Sequence, residues 1–178
     1  MITTRRTLEL SNRVLATIHN RDDIESITGP VELDSHADTC CAGSNCVVIE
    51  HTGKICNVVG FNRNTPNDEL KGISVVKAAT AYDAPTGETF IIILAQALYL
   101  GEYLDYSLLC PNQLRHNGLI VDDVPRHLSP NPTNATHSIF VPEKNVTIPL
   151  EMRGVISLFY TRRPTQEEIE NKKWLLFT

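Results

Sequence analysis

Two carboxylates, Asp34 and Asp38, flank Ser35-His36-Ala37 directly after the stretch Val31-Glu32-Leu33. Apolar residues at alternate positions, Val31 and Leu33, mark a strand with one buried face. Such a strand ending in Asp-Ser carries a carboxylate and a hydroxyl at its mouth. The hydroxyl can hold the carboxylate by hydrogen bonding while one face stays open. A carboxylate so placed can activate water as a base, provided a second, protonated carboxyl polarises the carbonyl under attack. The Asp-Ser turn alone is a weak signal, because such turns commonly close a loop or cap a helix.

The hexapeptide Asp34-Ser35-His36-Ala37-Asp38-Thr39 resembles the active-site loop of retropepsins, D-[ST]-G-A followed by a further Asp and Thr. Five of its six places fit, and His36 stands where that family has glycine. A second stretch, residues 97–121 (A-L-Y-L-G-E-Y-L-D-Y-S-L-L-C-P-N-Q-L-R-H-N-G-L-I-V), resembles the V-L-Y-V-P…N-L-L-S-V-x-Q-L…G segment. That segment closes the protease of copia-type retrotransposon polyproteins. The likeness to copia-like chains with the D-S-H-A-D-T variant runs from 31 to 125 and continues through H-S-I-F-V-P and R-R-P-T-Q-E-E in the tail.

The resemblance implies a mainly β, retropepsin-like (acid protease) barrel subunit with one short late helix, acting as an aspartic endopeptidase on a peptide or polyprotein. It assigns Asp34 as catalytic and Ser35 as the residue that locks two such loops together. Ala37 then lines substrate subsites beside His36, and Asp38 and Thr39 meet the substrate backbone. Val59, Gly60 and Phe61, in a hairpin over roughly 58–75, belong to a flap that is mobile and polar at its tip. No second D-[ST]-x-A segment is present, so the second carboxylate must come from another copy and the active form is a homodimer. The paired groups would then titrate as a unit. This mechanism calls for no organic cofactor and no metal. Asp38 is the weaker choice for the catalytic acid, because Ala37 and Thr39 do not rebuild the motif around it.

His36 opens the alternative of a catalytically inactive dimerisation or peptide-binding module, since a side chain there restricts backbone angles and substrate approach that glycine permits. Two further chemistries compete. His36, Cys40, Cys41 and Cys46 are the residue types of a zinc site, but no C-x-x-C pair accompanies them. Cys40 or Cys41 could be a nucleophile, but adjacent cysteines beside a strand are more often small buried residues, and no histidine is placed as a base.

The elements that must position the loop can be read from pattern. Leu10, Val14, Leu15 and Ile18 predict a helix over 7–20. Strands are expected at 46–50, 55–61 and 70–79, with a turn at 51–54. A second hairpin turns at Ala84-Pro85-Thr86-Gly87, and the run 90–94, apolar on both faces, belongs inside a sheet. Pro111 and Asn117-Gly118 bracket a short helix. Further strands are expected at 138–141, 146–150 and 155–160. Thr165 and Glu168 have capping-box spacing for a last helix, while Arg162 and Arg163 read as solvated.

The chain therefore divides into an N-terminal helical segment (1–23), the protease domain (24–126) and a small α+β C-terminal extension or connector (127–178). At 178 residues it can bury a sizeable core. A formal charge of −5 argues against an extensive nucleic-acid surface. No apolar run is long enough to span a membrane and the N-terminus lacks a signal-peptide core, so the expectation is cytoplasmic, including inside virus-like particles. Five cysteines, an odd number without a secretory signal, are expected as reduced thiols.

Overall fold

The computed structural model describes residues 27–59 and 69–178. The helix expected over 7–20 and the flap-tip residues Gly60 and Phe61 lie outside the described residues. The fold is mainly β. Strand β1 (Thr28–Leu33) leads into the Asp34 loop, and β2 (Cys40–Gly43) leaves it. Two long strands follow, β3 (Val47–Val59) and β4 (Glu69–Asp83), then β5 (Thr89–Gly101) and the short β6 (Ser107–Leu109). Helix α1 (Pro111–His116) comes next, with Pro111 at its start as expected. A separate three-stranded sheet joins β7 (Ile120–Asp122), β8 (Ser138–Val141) and β9 (Val146–Pro149). The chain then returns to the main sheet through β10 (Glu151–Arg153), β11 (Ile156–Arg162) and, after α2 (Gln166–Asn171), β12 (Lys173–Leu176).

Six of these strands close on themselves in the order β11-β1-β6-β2-β5-β4, with β4 meeting β11 again through Arg162 and Ala81. The residues assigned from sequence to an extension are thus divided differently. β11 runs antiparallel to β1, Phe159 opposite Val31, and closes the barrel; β12 runs parallel to β5, Leu175 opposite Ile92. The physical reason is that β1 needs a partner on the side away from β6, and the Leu158-Phe159 segment supplies a buried one. β5 is paired along its length by β4 and on its other edge by β12 and then β2. Residues 90–94 are apolar on both faces because Phe90, Ile92 and Leu94 pack in the main core while Ile91 and Ile93 pack in a second cluster with Ile169 of α2.

Two local expectations change. The turn expected at 51–54 is an irregularity inside β3: Gly53 adopts φ +75, the register with β4 shifts between His51 and Ile55, and the Thr52 hydroxyl donates to the Val75 carbonyl at 2.6 Å. A bulge of this kind bends a long strand without ending it. Arg162 is not a solvated cation. Its guanidinium binds Asp83 (2.7 Å) and Glu168 (2.6 Å), joining β4, β11 and α2. Glu168 also completes the expected capping box with Thr165.

One buried polar cluster ties the barrel together. The Asn45 amide is fully buried, donates to Thr161 Oγ1 (2.9 Å) and accepts from the Ser107 hydroxyl (2.6 Å). Thr80 Oγ1 lies 2.9 Å from the Asn45 carbonyl oxygen and 2.7 Å from Thr161 Oγ1. The Gly43 N–H donates to Ser107 Oγ (3.0 Å), so the cluster reaches β2, β4, β6 and β11. Gly43 must be glycine, because a Cβ there would overlap the Tyr106 and Leu104 carbonyls. Among the described residues, no helix is long and apolar enough to cross a membrane.

Asn45→Ala should lower the free energy of unfolding by about 2–3 kcal/mol, because it strands buried hydroxyls; urea denaturation measures this. The Arg162 guanidinium holds the Glu168 carboxyl at about 2, below its ordinary 4.5. Glu168 therefore contributes stability in full above about pH 4.5, and that contribution is lost as pH falls through about 2. The acid limb of a stability–pH curve should flatten in Glu168→Gln relative to the unsubstituted chain.

Candidate active site

Asp34 follows the last residue of β1, and the loop it opens is fastened at both ends by the β6–α1 segment. At the near end the Asp34 N–H donates to the Leu109 carbonyl at 2.9 Å, extending the parallel pairing of β1 with β6. At the far end the Cys40 N–H donates to Gln113 Oε1 at 2.8 Å. Gln113 in turn donates from Nε2 to the Gln96 carbonyl of β5 (3.2 Å). Its own N–H is capped by Cys110 Sγ at 3.4 Å. β6 thus lies between β1 and β2, the two arms of the loop, parallel to one and antiparallel to the other. Beneath the loop, Leu33 and Ala37 pack on the main core. The chain can place a carboxylate here only because the apolar neighbours on either side are anchored.

Within the loop, the His36 N–H donates to Asp34 Oδ1 at 2.9 Å, and the Ala37 N–H donates to the Asp34 carbonyl at 3.3 Å. These bonds fix the carboxylate against its own backbone. Ser35 Oγ lies 3.4 Å from His36 Nδ1, and both side chains are exposed. Among the described residues, the non-glycine positions with positive φ are His137 and Asn145. Position 36 therefore has a backbone that a residue with a side chain adopts freely, and the loop does not need glycine there for conformation. Asp34 is half-buried, Ala37 and Thr39 likewise, and Asp38 is exposed. Val59 ends β3, its backbone paired with Glu69 across the β3–β4 hairpin, so Val59 and the Asp34 loop lie on separate elements. Gly60 and Phe61 are outside the described residues.

The rival chemistries meet a different environment. Cys40 and Cys46 are fully buried, Cys41 nearly so, while His36 is exposed. Among the described residues, no group of three His, Cys, Asp or Glu side chains is gathered closely enough to hold a metal ion. Burial pushes the thiol of Cys40 up to about 12, and those of Cys41 and Cys46 to about 11. Thiols so shifted are almost wholly protonated near neutrality and are poor nucleophiles. All five cysteines are free.

A cleft of about 160 Å³ opens beside the loop, lined by Leu33, Ser35, Pro111, Asp123, Val155 and Ser157. Of these, Asp123, Val155 and Ser157 fall outside the residues that the sequence motifs single out. Val155 and Ser157 come from the β10–β11 turn and strand, and only the pairing of β11 with β1 brings them beside Ser35. The hairpin is held by an ion pair from Arg153 to Glu32 of β1. On its other side Ser157 Oγ lies 2.9 Å from Nε2 of the buried His137. Asp123 is paired with Arg115 at 3.2 Å.

No family model matches the chain, and neither a curated protein nor a solved structure does.

In the native protein, iodoacetamide near pH 7.5 should leave Cys40, Cys41 and Cys46 unmodified over hours, with alkylation appearing only on denaturation. Mass spectrometry of the peptides reads this directly.

Proposed function

We propose that the chain is an aspartic endopeptidase, retropepsin-like and part of a copia-type retrotransposon polyprotein, using Asp34 from each of two copies. The observation that carries this reading is the clamped loop. Asp34 sits at the end of a strand whose continuation is bonded to β6, Oδ1 is held by the His36 N–H, and the opposite arm is fixed through Gln113. A carboxylate oriented this way by N–H donors and packed neighbours is preorganised for acid–base chemistry. The D-S-H-A-D-T motif and the 97–121 segment support the same reading from the sequence.

In the mechanism, the two Asp34 carboxyls share one proton across a two-fold axis. The charged one takes a proton from water while the protonated one donates to the carbonyl oxygen of the peptide bond. The water oxygen bonds to the carbonyl carbon to give a tetrahedral intermediate. Transfer of a proton to the nitrogen then breaks the C–N bond, releasing an amine and a carboxylic acid. Because one carboxyl must be charged and the other protonated, rate against pH is bell-shaped. Asp38 and Thr39 follow in the loop and are proposed to bind substrate backbone. The flap is proposed to cover it through Val59, Gly60 and Phe61. The homodimer and its work inside a cytoplasmic particle belong to the same proposal.

The test is cleavage of a peptide library by the purified chain. Asp34→Asn should reduce the rate at least about 10³-fold. Chelators and thiol reagents should leave the rate unchanged, and specific activity should fall on dilution. A folded, dimeric chain that cuts nothing would replace the enzyme by the peptide-binding or dimerisation module.

A further inference from the structure

Away from the Asp34 loop, a serine hydroxyl stands against a buried imidazole. Ser157 Oγ lies 2.9 Å from His137 Nε2, within the reach a hydroxyl needs to give up its proton. Ser157 belongs to β11, and His137 directly precedes β8, its carbonyl accepting from the Leu150 N–H at 2.9 Å to extend the β8–β9 pairing. His137 has φ +59, in the left-handed region that costs a residue with a side chain. The other such described residue, Asn145, closes a short helical turn after Pro142, whereas His137 holds a ring, with the residue only 4% exposed, against Ser157. If the contact served only to satisfy a buried ring, the hydroxyl would be enclosed with it. Instead Ser157 lines the cleft of about 160 Å³. We propose that Ser157 is a nucleophile and His137 its general base, together an acyl-transfer site for small, uncharged carboxylic esters with a good leaving group. The proposal does not rest on the reading of Asp34.

The protonation states suit these roles. Burial pushes the imidazole below its ordinary 6.5, outweighing Asp122 and Asp123, which act the other way, and adding to the effect of His127. The ring is therefore neutral near pH 7. A backbone hydrogen bond to Leu150 favours a proton on the ring, and with Nε2 turned to Ser157 that proton sits on Nδ1. Nε2 is then an acceptor. Met152 Sδ lies 3.5 Å from the same hydroxyl, but a thioether accepts more weakly than an imidazole nitrogen. The cleft selects the ligand. Asp123 lines it while its partner Arg115 does not, so the charge it presents is negative and disfavours phosphate or carboxylate esters. Its volume admits a short acyl group. In the reaction, Ser157 Oγ bonds to the ester carbonyl carbon as its proton passes to Nε2. The C–O bond to the alcohol then breaks and the alcohol leaves with that proton. Water attacks the acyl-serine in the same way, with Nε2 taking its proton and returning it to Oγ, and a carboxylic acid departs.

The probe is p-nitrophenyl acetate with the purified full chain, read by nitrophenol release and by peptide mass spectrometry of the acetylated residue. Acetyl should appear on Ser157, and Ser157→Ala should abolish it. His137→Asn, whose new side chain tolerates the left-handed backbone, should slow labelling at least about 100-fold in a chain shown to be folded by circular dichroism. In the unsubstituted chain the labelling rate should rise with pH through a midpoint below 6.5 and then level off, because the neutral ring is the base. That profile decides the matter if His137→Asn does not fold. A folded chain that acquires no acetyl on Ser157 overturns the site, as does labelling of the exposed Ser35 at an equal rate. A rate that keeps rising with hydroxide through pH 8, or a folded His137→Asn that labels as fast as the unsubstituted chain, removes His137 as the base. Since the label is read on Ser157 itself, the result stands whether or not the chain cuts peptides.

Discussion

The burial of Asn45 is the constraint on which the rest of the barrel depends. An amide with no solvent contact must have its donors and acceptor matched by protein groups, or it costs on the order of 1–3 kcal/mol per missing partner. The side-chain amide meets that requirement through Thr161 and Ser107, and the Thr80 hydroxyl donates to the Asn45 main-chain carbonyl, so three strands far apart in the chain must arrive together. The cluster therefore selects one register for each of them, since a shift by one residue would turn the hydroxyl to the other face. Ser107 in turn fixes β6, and β6 carries the Leu109 carbonyl that holds the Asp34 N–H. The position of the carboxylate is thus linked to a buried amide on another turn through two strands.

Features set by neighbours in sequence were legible. Pro111 and Asn117-Gly118 bracketed α1, the Thr165/Glu168 spacing produced a capping box, and residues 84–87 made their hairpin turn. The strand that ends just before Asp34 was legible because Val31 and Leu33 alternate ahead of an Asp-Ser turn. Distant pairing was not. Nothing in Ile156–Arg162 distinguishes a strand that closes a barrel from one in an appended lobe, because alternation reports a buried face and not the identity of the partner. Arg162 looked like any arginine beside another, and its two carboxylate partners come from positions 83 and 168. Asn45 carried no signal in the sequence for the same reason.

His36 shows how a departure from a motif can lie in a place that tolerates it. The expected difficulty with a side chain was conformational, and the backbone there does not enter the left-handed region that favours glycine. Its N–H, which every residue but proline has, makes the contact to Asp34 Oδ1. The imidazole is exposed, so it stands at the mouth of the loop without occupying the core.

The closure of the barrel by β11 also sets an order of events during synthesis. β1 emerges from the ribosome more than a hundred residues before the segment that pairs with it, Phe159 opposite Val31. Until that segment is released, one edge of β1 is open and the carboxylate next to it lacks its finished support. Whatever role Asp34 has, the support of its loop is therefore finished only after residues 156–162 have emerged and paired with β1.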